Sequence, residues 1–266
     1  MAYDREFLLD KIILSYLQKP KPIGSENLKG EFGLKMSSAA IRNHFNFLSK
    51  NGILAKQHAS SGRIPTHLAM KNYWQKKLDP KYSTIKLKSA KEIEQACKKH
   101  HVYVLISTKN DKKLVEVKEL SDFLVLIFEA KDGDKDMVVS PFKPQLQRFL
   151  QDLIGLNLSD IKSIANQLMA SDLLRQIRDL RTFETTHFEL KELAFLIADQ
   201  RFDLFSDCKN GDIFSHLQNG AHFYPHFTEG YMGLVQNVEF AKTSAKMLCV
   251  GSLYANFGEF FTQIKE

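Results

Sequence analysis

Apolar residues recur at helical spacing near the start of the chain. Leu8 and Ile12 lie four residues apart in a segment that follows Asp4. This pattern predicts an amphipathic helix with Asp4 as its cap. The prolines of QKPKPIG end this helix, because proline lacks an amide donor and disfavours helix in the residue before it. A short second helix is predicted to open at Ser25 and to end in the glycine-containing stretch 30–33.

The segment MSSAAIRNHFNFLSKNG predicts a third helix, with Ser37 or Ser38 as N-cap and Gly52 as the left-handed residue that ends it. Its apolar side chains fall on one narrow arc and must face a core. The opposite arc carries small, polar and basic residues, namely Ala39, Arg42, Asn43, Asn46 and Lys50. Arginine can pair with guanine, asparagine with adenine, and alanine can touch a thymine methyl, so this arc suits a DNA groove. The start of the helix suits a phosphate. A solvated polar face is the alternative interpretation for an isolated helix.

The order of the elements favours the DNA interpretation. ILAK at 53–56 predicts a strand, HASSGR a loop tip and Ile64 a returning strand, after which Thr66 caps another helix. This succession of helices and a hairpin is that of a winged helix-turn-helix. In such a module Arg63 would reach the DNA backbone or the minor groove, and serines in the loop would bond to phosphates. The loop residues expected at DNA are His58, Ser60, Ser61 and Arg63.

The remaining two thirds of the chain predict strands, then helices, then strands. HVYVLIS, KLVEVKEL, DFLVLIFEA and DMVVSPF are β-rich, the following segment is helical with Ser159 as a cap, and GYMGLVQNVEF and KMLCVGSL return to strands before a terminal helix. Such an order predicts a sheet domain with a helical insertion. The predicted fold class is α+β, with a DNA-binding domain over 1–78, a linker over 79–90, and a sheet domain over 91–266 with a helical insertion at about 155–205.

The net charge of +6 is distributed unevenly along the chain. The first 90 residues hold 16 Lys/Arg and 6 Asp/Glu, a net +10, and the remaining 176 hold 21 and 25, a net −4. A basic N-terminal segment followed by a mildly acidic remainder is typical of a phosphate-binding module attached to a regulatory or assembly module. A solvated, lysine-rich surface is the alternative.

Other classes of function find little support. No apolar run reaches about 18 residues, and the N-terminal segment lacks the features of a signal peptide, so a cytoplasmic protein with no membrane partner is expected. The cysteines, Cys97, Cys208 and Cys249, are far apart and are expected to be buried free thiols. The pairs His100–His101 and His222/His226 lack companion ligands, so no metal and no cofactor are expected. No catalytic signature appears, and an enzyme is not expected.

Three motifs carry a family resemblance. KPIGSENL, MSSAAIRNHFNFLSKNGIL and HASSGRIPT together resemble the heat-inducible transcription repressor family HrcA, which shows Pro-Val-Gly-Ser, Ser-Ser-Ala-Thr-Ile-Arg-Asn and His-Thr-Ser-Ala-Gly-Arg-Pro-Thr in this order and at this spacing. The chain departs from these motifs at Ala40, Ala59 and Ser61. It also has AMK at 69–71 in place of Gly-Tyr-Arg, so that Lys71 stands where the family has arginine.

The resemblance implies a dimeric repressor of chaperone operons that binds an inverted repeat called CIRCE. It also implies a GAF-like second domain with an inserted dimerisation segment, and a GroEL-type chaperonin that keeps the repressor active until heat occupies the chaperonin with other clients. A palindromic site independently favours a two-fold symmetric protein. Two alternatives stay open: a ligand-gated winged-helix regulator that responds to a small metabolite, and an enzyme whose basic N-terminal domain is incidental.

Overall fold

The structure is a computed structural model that describes residues 5–56, 58, 62–78 and 84–266, and its architecture is α+β. The helices are α1 Arg5–Gln18, α2 Ser25–Phe32, α3 Ser38–Lys50, α4 His67–Lys77, α5 Ala90–His100, α6 Pro144–Asp152, α7 Leu158–Gln167, α8 Ser171–Gln176, α9 Ala194–Ala198, α10 Phe202–Asn210, α11 Ile213–His216 and α12 Phe257–Ile264. The strands are β1 Leu54–Ala55, β2 Ile64–Pro65, β3 Ile85–Lys86, β4 Val102–Lys109, β5 Lys113–Leu120, β6 Phe123–Glu129, β7 Lys135–Pro141, β8 Phe183–Phe188, β9 Gly220–His222, β10 Tyr231–Phe240 and β11 Thr243–Ser252.

The chain forms two compact units. The first comprises Met1–Ile106 and His187–Glu266, and the second comprises Ser107–Thr186. The inserted unit therefore starts and ends earlier than the helical insertion expected at about 155–205. Its own sheet is built from β5, β6 and β7, and the expected helical range includes strand β8. Hydrophobic periodicity can identify a strand, but it does not show which of the two sheets that strand joins.

Local sequence signals explain the N-terminal helices. Gly33, with φ 59°, ends α2 in the left-handed region, and Gly52, with φ 71°, follows α3 as predicted. The side chain of Ser37 caps α3, and that of Thr66 caps α4, so both predicted caps are confirmed. Asp4, expected to cap α1, lies outside the described residues. The apolar faces of these elements meet in one cluster, formed by Leu8, Ile12, Ile23, Leu28, Leu34, Ile41, Phe45, Leu48 and Leu54.

The larger sheet has the strand order β3-β10-β11-β4-β8, with β9 beside β10. Strands β10 and β11 form a hairpin whose turn, Ala241–Lys242, has positive φ at both residues. Side chains alternate between two apolar clusters along each strand: Val102 and Val104 of β4 face one cluster, and Tyr103 the other. Strand β3 lies in the segment predicted to be a linker and pairs in parallel with β10. Residues 79–83 of that segment lie outside the described residues.

The helices α1 and α4 share a core with the larger sheet. Met70 and Trp74 of α4 and Ile13 of α1 belong to the same buried cluster as Phe257 and Phe260 of α12. The ring of Trp74 meets the ring of Phe257 edge to face, with 5.5 Å between centroids. The N-terminal helices and the sheet are therefore joined by continuous apolar packing rather than by a linker alone.

The second unit packs α6, α7 and α8 on one face of the antiparallel sheet β5-β6-β7. Asn157 occupies the N-cap position of α7, so the prediction of Ser159 as the cap was wrong. Ser159 lies in the first turn of the helix, where its backbone N–H and its hydroxyl both donate to the carboxylate of Asp111. A residue 48 positions earlier in the chain thus supplies the acceptor, which a local pattern cannot reveal.

Within the part of the chain that the structure describes, no helix combines the length and the apolar character needed to cross a membrane.

Candidate nucleic-acid interface

Helix α3 exposes the polar face that the sequence predicts. Ile41, Phe45 and Leu48 are buried in the N-terminal cluster. The exposed face carries Ala39, Arg42, Asn43, Asn46 and Lys50. The division of α3 into a buried and an exposed face follows from the period of the helix, because the buried residues recur three and four positions apart. The candidate DNA-reading side chains of α3 therefore lie together on one accessible surface.

The two serines at the start of α3 have different environments. Ser37 is exposed, and its side chain accepts a hydrogen bond from the backbone N–H of Ala40 at 3.2 Å. Its hydroxyl proton remains a potential donor to a phosphate. Ser38 is buried in the first turn, with 9% of its surface exposed. The guanidinium Nε of Arg42 donates to the backbone oxygen of Ser38 at 3.3 Å and so holds the arginine beside this first turn.

A two-stranded hairpin stands next to α3. Strands β1 and β2 pair in antiparallel register, Leu54 with Pro65 and Ala55 with Ile64. His58 is exposed. The two loop serines expected at phosphates, Ser60 and Ser61, lie outside the described residues. We name β1, β2 and the segment that joins them, residues 54–65, the hairpin.

Arg63 lies at the loop-side end of β2, against α3. Its guanidinium donates to the hydroxyl of Ser49 at 3.0 Å and to the side-chain oxygen of Asn46 at 3.1 Å. Its backbone exchanges two hydrogen bonds with Ile23, at 2.8 and 2.9 Å. The sequence predicted an arginine that reaches toward DNA from a loop tip. The structure brings Arg63 together with Asn46 on the surface of the helix, where it joins the hairpin to α3.

Gly62 permits this close approach. A Cβ atom at Gly62 would lie 2.5 to 2.7 Å from the backbone atoms of Ile23, a separation that real Cβ atoms essentially never show. Only a residue without a side chain lets the hairpin lie directly against the backbone of Ile23, two residues before α2. The sequence analysis did not single out this glycine, because its constraint comes from a residue 39 positions away.

A surface cavity of about 340 Å³ opens between α2, α3 and the hairpin. Three of its lining residues are basic, namely Arg42, Lys56 and Arg63, and the described residues that line it include no carboxylate. Gly24 and Ser25, at the N-terminus of α2, complete one wall. The first N–H groups of a helix have no intrahelical acceptor, and they add positive potential to this cavity. Sequence reasoning identified Arg42 and Arg63 but missed Lys56, Gly24 and Ser25 as parts of the same site.

The electrostatics of the cavity are those of a fixed positive site. Partial burial lowers the pKa of the Arg63 guanidinium from its usual value. Arginine nevertheless keeps its proton at any physiological pH. Lys71, which replaces the arginine of the family motif, lies elsewhere: its ammonium stands over the ring of Phe223, 5.6 Å from the centroid. The structure therefore does not bring Lys71 to this cavity.

The residues considered for metal or thiol chemistry have structural environments. Among the described residues, no group of three or more His, Cys, Asp or Glu could hold a metal ion. All three cysteines are buried free thiols, and burial raises the pKa of Cys97 to about 12. The ring of His222 donates from Nε2 to the backbone oxygen of Gln218 at 2.7 Å. These side chains are ordinary parts of the packing.

Comparison with known proteins gives the chain a family. Residues 74–266 match the model of the HrcA C-terminal domain. Proteins named heat-inducible transcription repressor HrcA from two strains of Helicobacter pylori, 26695 and J99, are 34% and 31% identical to the chain, and each alignment covers 98% of this chain and 94% of the relative. A crystal structure of a hypothetical protein has the same fold, with a TM-score of 0.56 at 18% identity, over 97% of this chain and 93% of the other. The chain belongs to the HrcA family of heat-inducible transcription repressors.

Proposed function

We propose that this chain represses transcription by binding DNA through the exposed face of α3 and the hairpin, which together act as a winged helix-turn-helix. The family is one of transcription repressors and not of enzymes. The observation that carries the proposal is the basic cavity between α2, α3 and the hairpin. In a winged helix-turn-helix the DNA backbone passes between the helix in the major groove and the wing, and such a backbone requires cations at this place.

Each side chain of the proposed interface has a role that its chemistry supports. Arg42 reads a guanine, or a neighbouring phosphate, from the first turns of α3, and Asn43 and Ala39 contact adjacent base edges. Asn46 uses its side-chain oxygen to accept from Arg63. Its NH₂ group then becomes the part that can donate to a base or a phosphate. Arg63 therefore positions Asn46 and also contributes a charge beside the DNA strand.

The cavity suits one phosphate of the DNA backbone. A phosphodiester is a compact anion, and guanidinium, ammonium and helix N-terminal N–H groups are its usual partners. Ser37 would donate its hydroxyl to a neighbouring phosphate from the start of α3, with Ser38 contributing its backbone rather than its buried hydroxyl. His58, Ser60 and Ser61 remain proposed contacts of the hairpin loop with the backbone or the minor groove.

The proposal includes a homodimer on the CIRCE inverted repeat. The face of the β5-β6-β7 sheet opposite its helices exposes a set of large apolar side chains, namely Leu120, Phe123, Met137 and Val139. Val125 of the central strand lies between them and is paired with Val139. A contiguous apolar sheet face marks an interaction surface in a soluble protein. A second copy of the chain would cover it symmetrically and present two copies of α3 to the two half-sites.

Relief by heat, with a GroEL-type chaperonin as partner and a cytoplasmic location, completes the proposal on the strength of family membership. A repressor of ordinary stability needs to lose only about 1–2 kcal/mol for its unfolded fraction to rise several-fold. A chaperonin that refolds this fraction would keep the repressor active until other unfolded proteins compete for it. The GAF-like character of the larger sheet domain also belongs to the proposal.

A gel-shift titration of the purified chain tests the proposal. One duplex carries the CIRCE inverted repeat, and a scrambled duplex has the same length and composition. At a fixed salt concentration we expect affinity for the inverted repeat to exceed that for the scrambled duplex by at least about 10³-fold. We also expect a steep loss of affinity between about 50 and 200 mM salt. Equal affinity for both duplexes would refute sequence-specific repression. Addition of a GroEL-type chaperonin to the same titration tests whether the chaperonin is a partner of the repressor.

A further inference from the structure

Two consecutive residues directly after strand β11, Leu253 and Tyr254, hold both ends of helix α4. The backbone oxygen of Leu253 accepts a hydrogen bond of 2.7 Å from the indole N–H of Trp74, near the C-terminus of α4. The hydroxyl of Tyr254 donates to the backbone oxygen of Pro65 at 3.0 Å, just before the N-terminus of α4. These bonds join residues 179 and 189 positions apart.

The Pro65 end of this arrangement leads directly to the proposed DNA-binding surface. Pro65 belongs to strand β2 of the hairpin. The next residue, Thr66, donates its hydroxyl to the backbone oxygen of Gly52 at 2.8 Å and its N–H to that of Ile53 at 3.0 Å. Gly52 lies two residues after the end of α3. A short series of hydrogen bonds therefore runs from Tyr254 through the hairpin to the end of α3.

Tyr254 is held in one orientation by its surroundings. Its ring contacts the rings of Tyr16 and His67, each with 5.6 Å between centroids. Partial burial raises the pKa of the Tyr254 hydroxyl from its usual value, so the group remains a protonated donor at neutral pH. Pro65 is buried, so its backbone oxygen has limited access to water in place of Tyr254.

We infer that Tyr254 and Leu253 form a clamp that positions the hairpin and α3 for operator binding, so that DNA affinity depends on the fold of the larger sheet. Tyr254 is a positioning residue, since it acts on DNA only through the hairpin. Loss of the sheet's structure releases Pro65 and Trp74 together and removes the alignment of the hairpin with α3. This inference rests on the proposed function, because it presumes that α3 and the hairpin bind DNA.

The first variant removes only the hydroxyl of Tyr254, and all variants are made in the whole chain. Tyr254→Phe keeps the ring and its packing but removes the donor to Pro65. Tyr224→Phe is the matched control: Tyr224 is 68% exposed and lines the same cavity as His67 and Leu253, and the substitution removes a hydroxyl there without removing either bond of the clamp. Trp74→Phe is a second variant that removes the other half of the clamp. Operator affinity at 25 °C, melting temperature, and amide hydrogen exchange of the peptide that contains 62–66 are measured for each.

We expect Tyr254→Phe to bind the operator about two- to tenfold more weakly, the range that one partly buried hydrogen bond contributes. Exchange in the 62–66 peptide should become faster, while Tyr224→Phe stays at the wild-type values. A merely structural role would lower the melting temperature without changing the affinity of the folded protein at 25 °C, and that result would overturn the inference.

The exchange measurement separates this inference from the proposed function. If the wild-type chain shows no preference for the inverted repeat, the proposed function fails, and exchange of the 62–66 peptide still decides whether Tyr254 positions the hairpin. If the wild type binds selectively and both clamp variants match it in affinity and exchange, the clamp is refuted and the proposed function stands.

Discussion

Replacing Gly62 with alanine tests the contact that joins the hairpin to Ile23, two residues before α2. The added Cβ would lie 2.5 Å from the backbone carbon of Ile23, and an ordinary contact needs about 3.4 Å. The hairpin would therefore have to move away by about 0.9 Å. The two backbone hydrogen bonds between Ile23 and Arg63, at 2.8 and 2.9 Å, would lengthen to roughly 3.7 and 3.8 Å, which is beyond hydrogen-bonding distance.

The expected cost follows from those two bonds. Each contributes about 0.5–1.5 kcal/mol, so the free energy of unfolding should fall by about 1–3 kcal/mol. The guanidinium of Arg63 would move with the strand and lose its alignment with Ser49 and Asn46, so operator affinity should fall as well. Thermal melting and an operator titration measure the two effects. In a chain of this size, the melting temperature should fall by about 2–4 °C for each kcal/mol.

Gly30→Ala is the matched control for this substitution. Gly30 lies within α2, and a Cβ there would meet nothing within 4 Å. Because alanine is the better helix former, this variant should be more stable than the wild type by about 0.5–1 kcal/mol, with unchanged DNA affinity. If Gly62→Ala melted and bound DNA as the wild type does, the close packing of the hairpin on Ile23 would be wrong.

The remaining predictions concern the charge of the interface, the dimer and pH. Arg63→Ala should weaken binding to the operator and to a scrambled duplex and reduce the salt slope by about one, whereas an unchanged slope would exclude a charge beside the DNA strand. The loss should be larger on the operator, because Asn46 also loses the partner that positions it. Met137→Lys should convert the dimer to a monomer in light scattering. Met169→Lys should leave the dimer intact, because Met169 is an 87% exposed apolar side chain elsewhere in the same unit. A dimer that persists in Met137→Lys would exclude the proposed sheet face as the interface. Burial lowers the pKa of His100, so the unfolded chain binds this proton more readily than the folded one. The stability that buried, neutral His100 contributes is thus fully present above the ordinary histidine pKa of 6.5 and is lost as pH falls below it. Urea unfolding at pH 7.5 and 5.5 should show a smaller acid loss in His100→Gln, and an equal loss in both proteins would contradict this assignment.

Features set by neighbouring residues could be predicted from the sequence. Ser37 and Thr66 cap their helices through hydrogen bonds to N–H groups three residues later, and the buried face of α3 follows from helical spacing. Gly52 adopts the left-handed conformation because the chain must turn after α3. For the same reason the exposed set on α3 could be identified before its surroundings were known.

Features set by distant residues could not be predicted. Arg63 looked like a loop-tip residue because its partners, Ser49 and Asn46, come together with it only through the pairing of Gly62–Arg63 with Ile23. Residues 85–86 looked like part of a linker, because a strand of two residues acquires its structure only from the neighbouring strand β10. The polar segment of β8, FETTHF, lacks the apolar run that marks a buried strand.

Arg42→Ala provides the most direct test of the claim that the exposed face of α3 reads DNA. Its affinity for the inverted repeat and for a scrambled duplex is compared, at one fixed salt concentration, with that of Arg148→Ala, which removes an exposed arginine from α6 in the other unit. We predict that Arg42→Ala loses about 1–3 kcal/mol on the inverted repeat, with a smaller loss on the scrambled duplex. Arg148→Ala should bind both duplexes as the wild type does. An Arg42→Ala titration on the inverted repeat that cannot be distinguished from that of Arg148→Ala would contradict the account.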